Sequence, residues 1–289
     1  MKKKRVPFYV VWTVTNVELW IMEQGVISLA NTVPKTYWPG MTDVEEMNQY
    51  WGERAQSYSE QNQNQLSDSR REAWERVILS RLPEGEALRV LDVGCGPGFL
   101  GILMALAGHR VTGVDLNSAM LDEARKNAAA YGAPVRFLHI DGSLPFLDES
   151  FDVILARDVT WTLPEPEKTM AMWFSKVAPG GRLLYFDAGW YSYLNSPAQR
   201  AKYKRHRRLV ERNHGFVYKK AKLMEEMAAG LPMTYRDRPS WDVDFWRGFP
   251  DAAVSCVENL NTRIYNPMEQ LQYALTPEFL VEVVKKERL

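Results

Sequence analysis

The chain has 289 residues, 46% of them hydrophobic and 25% charged, with 36 Lys and Arg balanced by 36 Asp and Glu. This composition excludes collagen-like, disordered and coiled-coil chains, and a protein built wholly around nucleic acid would be more basic. Two cysteines, Cys95 and Cys256, exclude a disulfide scaffold or a Cys-rich zinc site and fit a reducing, cytoplasmic setting.

In chain order, MKKKR followed by VPFYVVWTV resembles the basic and apolar regions of a signal peptide. Asn16, Glu18, Glu23 and Gln24 follow, with no small-x-small cleavage site, so no signal peptide is expected. No apolar run reaches the roughly 18 residues of a membrane-spanning helix. From Met41, MTDVEEMNQYWGERAQSYSE reads as a natural protein start. Residues 1–40 are therefore either an extra element or upstream of the true start, and both readings stand. Residues 43–82 read as helical, with polar loop chemistry around 61–69 and a stop at Pro83. Short β-branched runs at 88–93, 110–115, 135–141, 151–156 and 181–187 predict buried strands. Between them the pattern predicts helices over about 98–107, from Asn117 or Ser118 to Gly132, and over 165–177. Strands and helices in alternation predict βαβ units and a doubly wound, mostly parallel sheet. The rhythm breaks after residue 187. Residues 196–229 read as one or two basic helices, and 252–260 and 279–286 as a closing antiparallel pair. The expected organisation is an extension (1–40), a core (41–187), a basic helical lid for the acceptor (188–250) and closing strands (251–289).

Two fingerprints overlap in DVGCGPGFLG (92–101). Gly96-Pro97-Gly98-Phe99-Leu100-Gly101 spells the dinucleotide pattern, with Asp115 about 20 residues on. Asp92-x-Gly94-x-Gly96-x-Gly98 spells another, with a carboxylate at the strand end. A pyrophosphate seeks backbone N–H groups and would be repelled by Asp92. S-adenosylmethionine (SAM) carries no phosphate; its ammonium suits a carboxylate and its own carboxylate suits loop N–H groups.

VLDVGCGPG, VTGVDLNSAML, LPFLDESFDVILA and VAPGGRLLYFD together resemble the class I SAM-dependent methyltransferases, in particular the small-molecule branch of the ubiquinone and menaquinone C-methyltransferases. The resemblance covers residues 45–187 well, 252–286 loosely, and neither 1–40 nor 190–250. It implies a seven-stranded sheet whose last strand is antiparallel, and SAM as cofactor. It assigns the methionine end of SAM to Asp92, Gly94, Cys95, Gly96 and Gly98. It assigns the ribose to Asp115, the adenine to Leu116, Asp141 and Gly142, and an approach to the methionine end to Arg157 or Asp158. YWGERAQSYSE (50–60) resembles a helix that covers SAM, with Tyr50, Arg54 and Tyr58 as contacts. One departure is RDVTWTLPEPE (157–167), which lacks the histidine the family often carries there.

Without that histidine, Asp158 or Asp187 is the candidate base if the acceptor atom is oxygen or carbon; Asp187 serves equally well as a turn cap. Thr160, Trp161, Trp190, Tyr191 and Tyr193 are expected to wall the acceptor site. Cys95 reads as a loop filler rather than a nucleophile, and the four histidines show no metal-ligand spacing, so no metal is expected. The stretch 199–222 holds ten Lys and Arg against one acid, Glu211; it is a solvated face, or a lid for an anionic acceptor or RNA. The expected partners are a small-molecule acceptor, anionic or aromatic, and a second copy in a homodimer. The alternatives to a small-molecule methyltransferase are an RNA methyltransferase, a nicotinamide oxidoreductase reading GPGFLG, and a SAM-binding protein without catalysis. The ten tryptophans, at 12, 20, 38, 51, 74, 161, 173, 190, 241 and 246, leave 75–160 empty. The aromatic excess lies outside the first cofactor strands, in the parts expected to cover the acceptor.

Overall fold

The computed structural model describes residues 44–83, 87–142, 144, 149–213, 215 and 221–287; the expected 1–40 extension lies outside them. The first helix, α1 (Val44–Leu66), takes in the first part of the polar stretch 61–69 predicted as a loop. Its amides are used: Gln63 donates to Asn127 at 2.6 Å, and Gln65 accepts from Arg157 at 3.0 Å. The break is confined to Ser67–Asp68, within the predicted stretch, where Asp68 caps α2 (Ser69–Leu79).

The alternation then follows as β1 (Arg89–Val93), α3 (Phe99–Leu106), β2 (Arg110–Asp115), α4 (Ser118–Tyr131), β3 (Val135–His139), β4 (Phe151–Arg157), α5 (Pro166–Ser175) and β5 (Val177–Asp187). Asn117 caps α4, its side chain accepting the Met120 N–H at 3.1 Å, and Gly132 ends it in the left-handed conformation. Strand β5 begins four residues before the predicted 181, because Val177 already pairs with Phe151 across a register irregularity. An excursion follows: α6 (Pro197–Arg212), α7 (Ala221–Ala228) and α8 (Ser240–Arg247). The chain returns through β6 (Ala252–Val257), α9 (Asn261–Ile264), α10 (Pro267–Gln272) and β7 (Phe279–Lys285).

The sheet order is β3-β2-β1-β4-β5-β7-β6. β1 to β5 are mutually parallel, and β7 is antiparallel to both β5 and β6. This is the Rossmann-like seven-stranded architecture the sequence predicts. Alternation along the strands sends Val90, Val153 and Leu155 into one core and Leu91, Ile154 and Ala156 into the other. Trp74, fully buried against Phe99 and Phe186, anchors the first; Trp173 and Trp246 anchor the second. A third cluster packs Met47 and Tyr50 of α1 against Trp161, Met224, Met227 and Leu231. The strand order reverses between β1 and β4, and clefts at such a switch point bind ligands. Among the described residues no helix is long and apolar enough to cross a membrane.

Candidate functional site: two cavities with a common wall

Two cavities, of about 200 and about 250 Å³, lie side by side. The first is lined by Gly94 and Gly96 after β1, Asp115, Leu116 and Asn117 after β2, Gly142 after β3, and Arg157 and Asp158 after β4. The second is lined by Tyr50 and Arg54 of α1, Trp161, Trp190, Tyr191, and Tyr203, His206, Arg207 and Val210 of α6. Trp51, Tyr58 and Asp158 face both.

Helix geometry explains the partition. At about 100° per residue, Val44, Met47, Asn48, Trp51 and Tyr58 form one stripe of α1, and Tyr50, Arg54 and Gln61 the next. Tyr58 thus sits at the border, whereas Tyr50 and Arg54, expected against the cofactor, turn to the second cavity. The helix is held in place by Asn117, which donates to the Asn48 carbonyl at 2.7 Å, and by Asn127, which donates to Ser59 at 3.0 Å and to the Pro97 carbonyl at 2.9 Å.

The glycine loop is wired into carboxylates. Gly96 N–H donates to Asp115 at 2.8 Å, Gly98 N–H to the Cys95 carbonyl at 2.9 Å, and Gly101 N–H to Asp92 at 2.8 Å. Gly94 has φ +62°, and a Cβ there would stand 2.5 Å from Val159 Cγ2, so only glycine fits. Asn117 N–H supplies the second donor to Asp115, at 2.8 Å. Backbone N–H groups thus hold the Asp115 carboxylate at the edge of the first cavity, and burial raises its affinity for a proton. Asp92 is buried in β1; burial pushes its carboxyl up to about 7. It lines neither large cavity but a small adjoining recess, together with Cys95, Tyr58, Asn62 and Arg157. Burial holds the Cys95 thiol far above its ordinary range, which leaves it inert as a nucleophile. Gly98 serves the turn into α3, closed in by Phe137 and Ala124. Asp141 is exposed, outside the lining beside Gly142.

Asp158 has φ +59°, a rare conformation for a residue other than glycine and one that recurs at functional sites. Tyr58 OH lies 3.5 Å from its Oδ2 and Arg157 Nε 3.6 Å, while Oδ1 is buried without a hydrogen-bond partner. Burial raises its proton affinity, with Arg157 opposing. Nearby, Glu278 is wholly buried: Tyr265 OH donates to it, and burial with the Asp158 charge pushes its carboxyl up. Arg157 itself lies over the rings of Trp74 and Phe99, 4.4 and 4.9 Å from their centroids.

Asp187 is placed differently from Asp158. It accepts from Thr160 OH, from Trp161 N–H at 2.9 Å and from Ala188 N–H at 2.8 Å, and pairs with Arg238 at 3.1 Å. With no exposure and every oxygen engaged, it lines neither cavity and cannot take a substrate proton; the turn-support alternative fits its surroundings. Thr160 is committed to the same network and also faces neither cavity. Tyr193 lies one layer back, stacked 3.7 Å from Tyr203 with its hydroxyl donating to Glu225 at 2.7 Å.

Several lining residues escaped the sequence reading. Tyr203, His206, Arg207 and Val210 follow i, i+3, i+4, i+7 spacing, a legible signal hidden by treating 199–222 as one basic block. Trp51 sat between two residues that were singled out. Arg238, Glu278 and Tyr273 carry no local pattern, because only tertiary contacts bring them to the site.

Residues 91–185 match the methyltransferase domain family. Over 105 residues the chain is 40% identical to the malonyl-[acyl-carrier protein] O-methyltransferase of Erwinia pyrifoliae, covering 35% of this chain and 36% of that one. It is 34% identical over 99 residues to the ubiquinone biosynthesis O-methyltransferase of Pseudomonas putida, covering 34% of this chain and 43% of that one. It is 33% identical over 117 residues to the demethylmenaquinone methyltransferase of Thermus thermophilus, covering 39% and 53%. The matches thus span 36% to 53% of these relatives' length. The plantazolicin methyltransferase solved in complex with SAH shares the fold, with a TM-score of 0.53 over 83% of this chain and 94% of that one at 12% identity.

Proposed function

We propose that this chain, whose residues 91–185 are a class I methyltransferase domain on a Rossmann-like sheet, is a SAM-dependent enzyme that methylates a small molecule. The observation that carries this reading is the pair of cavities meeting at Trp51, Tyr58 and Asp158. The residues fit the cofactor: Asp115 and Asp158 line the first cavity, where carboxylates suit the ribose hydroxyls and the ammonium of SAM.

When bound, SAM supplies a methyl group on a cationic sulfur. The chain's part is to orient and to exclude water. Asp115 and Gly96 fix the inner end, and Trp51 and Tyr58 present ring faces that favour a cation. Trp161 and Tyr191, 5.1 Å apart between centroids, give the second cavity an aromatic wall. Most of the acceleration comes from holding the acceptor in line with the methyl. Where the acceptor atom carries a proton, Asp158, which lines both cavities, is the base.

The rival readings have less support. A pyrophosphate would find the N–H groups of Gly96, Gly98 and Gly101 already bonded. RNA would have to use the outer face of α6, since its inner face lines a cavity of small-molecule size. Calorimetry with SAM and with NADH separates the enzymes: SAM binds and NADH does not. Asp115→Ala is expected to weaken SAM at least 100-fold with the fold intact; wild-type affinity in that variant, or binding of NADH alone, sinks the reading.

A further inference from the structure

Polarity is unevenly distributed around the second cavity. Its one carboxylate among the described lining residues is Asp158, in the wall shared with the first cavity. Arg54, His206 and Arg207 line the second cavity alone. Arg207 has a side chain 34% exposed, which places it towards the mouth, and its ion pair with Glu211 runs through Nε at 3.5 Å. His206 is fixed by donating Nε2–H to the Leu271 carbonyl at 2.8 Å. The same cavity is lined by Trp51, Trp161, Trp190, Tyr191, Tyr203 and Tyr273. The volume, about 250 Å³, lies near the low end of small-molecule sites, which run from about 300 Å³ upwards.

From this arrangement, and resting on the methyl-transfer reading above, we infer that the acceptor is a small hydroxylated aromatic acid, its acid group held by Arg207 and its hydroxyl facing Asp158. Flat ring walls accept a planar acceptor by stacking. A guanidinium binds a carboxylate with two parallel hydrogen bonds, so the acid end sets the orientation. That orientation brings the hydroxyl, rather than the acid, to the methyl donor. The hydroxyl proton passes to Asp158, an oxygen lone pair forms the new O–CH3 bond, and the S–CH3 bond breaks with its electron pair remaining on sulfur. The products are a methyl ether and S-adenosylhomocysteine (SAH), and Asp158 then releases its proton to water.

The test uses the full chain saturated with SAH, and as probes 3-hydroxybenzoate, 4-hydroxybenzoate and 3,4-dihydroxybenzoate against their neutral carboxamides. At least one acid is expected to bind ten-fold or more tightly than its amide by calorimetry. Arg207→Gln abolishes that preference while SAM affinity stays unchanged, and Arg205→Gln and Arg208→Gln, on the exposed face of α6, retain it. With methyl-labelled SAM, the bound acid yields an alkali-stable ether. Equal binding of acids and amides, a preference that survives Arg207→Gln, an alkali-labile ester, or no binding by any probe overturns the inference. Each of these is distinct from a failure to bind SAM, which would overturn the methyl-transfer reading itself.

Discussion

Asp158 and Asp92 are both carboxylates near the candidate cofactor cavity, and their surroundings separate them. Asp158 lines both cavities and its side chain stays 19% exposed, so its value lies in chemistry. Asp158→Asn keeps the shape and removes the base; for a hydroxyl acceptor kcat is expected to fall about 10²–10⁴-fold with SAM affinity unchanged. Because burial raises its proton affinity, wild-type kcat should rise with pH through a midpoint above the ordinary carboxylate value of about 4, and Asp158→Asn should flatten that limb. Asp92 supports the loop through Gly101. Its folded value of about 7 exceeds the unfolded value of about 3.9, so the folded state holds the extra proton. Its contribution is fully present below the unfolded value and is lost as pH rises towards the folded one. Asp92→Asn should therefore raise the thermal midpoint at pH 8 more than at pH 4; an equal change at both pH values contradicts the assignment.

At the scale of elements, the excursion between β5 and β6 is tied to the sheet by Arg238. Its side chain is 1% exposed and bridges Asp187, Asp242 and Thr160. Asp242 also receives Tyr185 OH at 3.1 Å, and Tyr185 OH in turn accepts from Trp246 Nε1 at 3.0 Å. Removing one partner of a buried pair leaves uncompensated charge, so Arg238→Ala should cost about 3–5 kcal/mol, measured by denaturant unfolding. Asp187 also holds the Trp161 N–H, so the same variant should weaken acceptor binding before cofactor binding. This network explains what the sequence leaves unreadable. The strands of the core and the loop after β1 are local patterns, and period-2 burial with glycines at left-handed positions makes them legible from residues alone. Asp187 and Asp158 are equally suitable bases by sequence because both stand at the end of a strand; only their surroundings, the buried Arg238 network for one and the wall of two cavities for the other, tell them apart. The basic run at 199–222 was legible as charge but not as a two-faced helix.

For the whole molecule, the sheet order was legible because each βαβ step is specified within a few dozen residues. The placement of the excursion was not, since its contacts join residues as distant as Tyr185 and Asp242. A ligand that binds the folded chain alone stabilises it by mass action: SAH at 100 times its Kd contributes about 2.7 kcal/mol, or about 5–10 °C in Tm for a chain of this size. NADH should produce no shift in the same melt. Helix α1, meanwhile, is a party wall with a tenant on each side. Trp51 and Tyr58 touch both chambers, and coupling between two occupants is reciprocal. Substitution at either ring is therefore expected to alter cofactor affinity and acceptor affinity together, and substitution at Arg207, which borders one chamber only, to alter acceptor affinity alone, as calorimetry with each ligand would read.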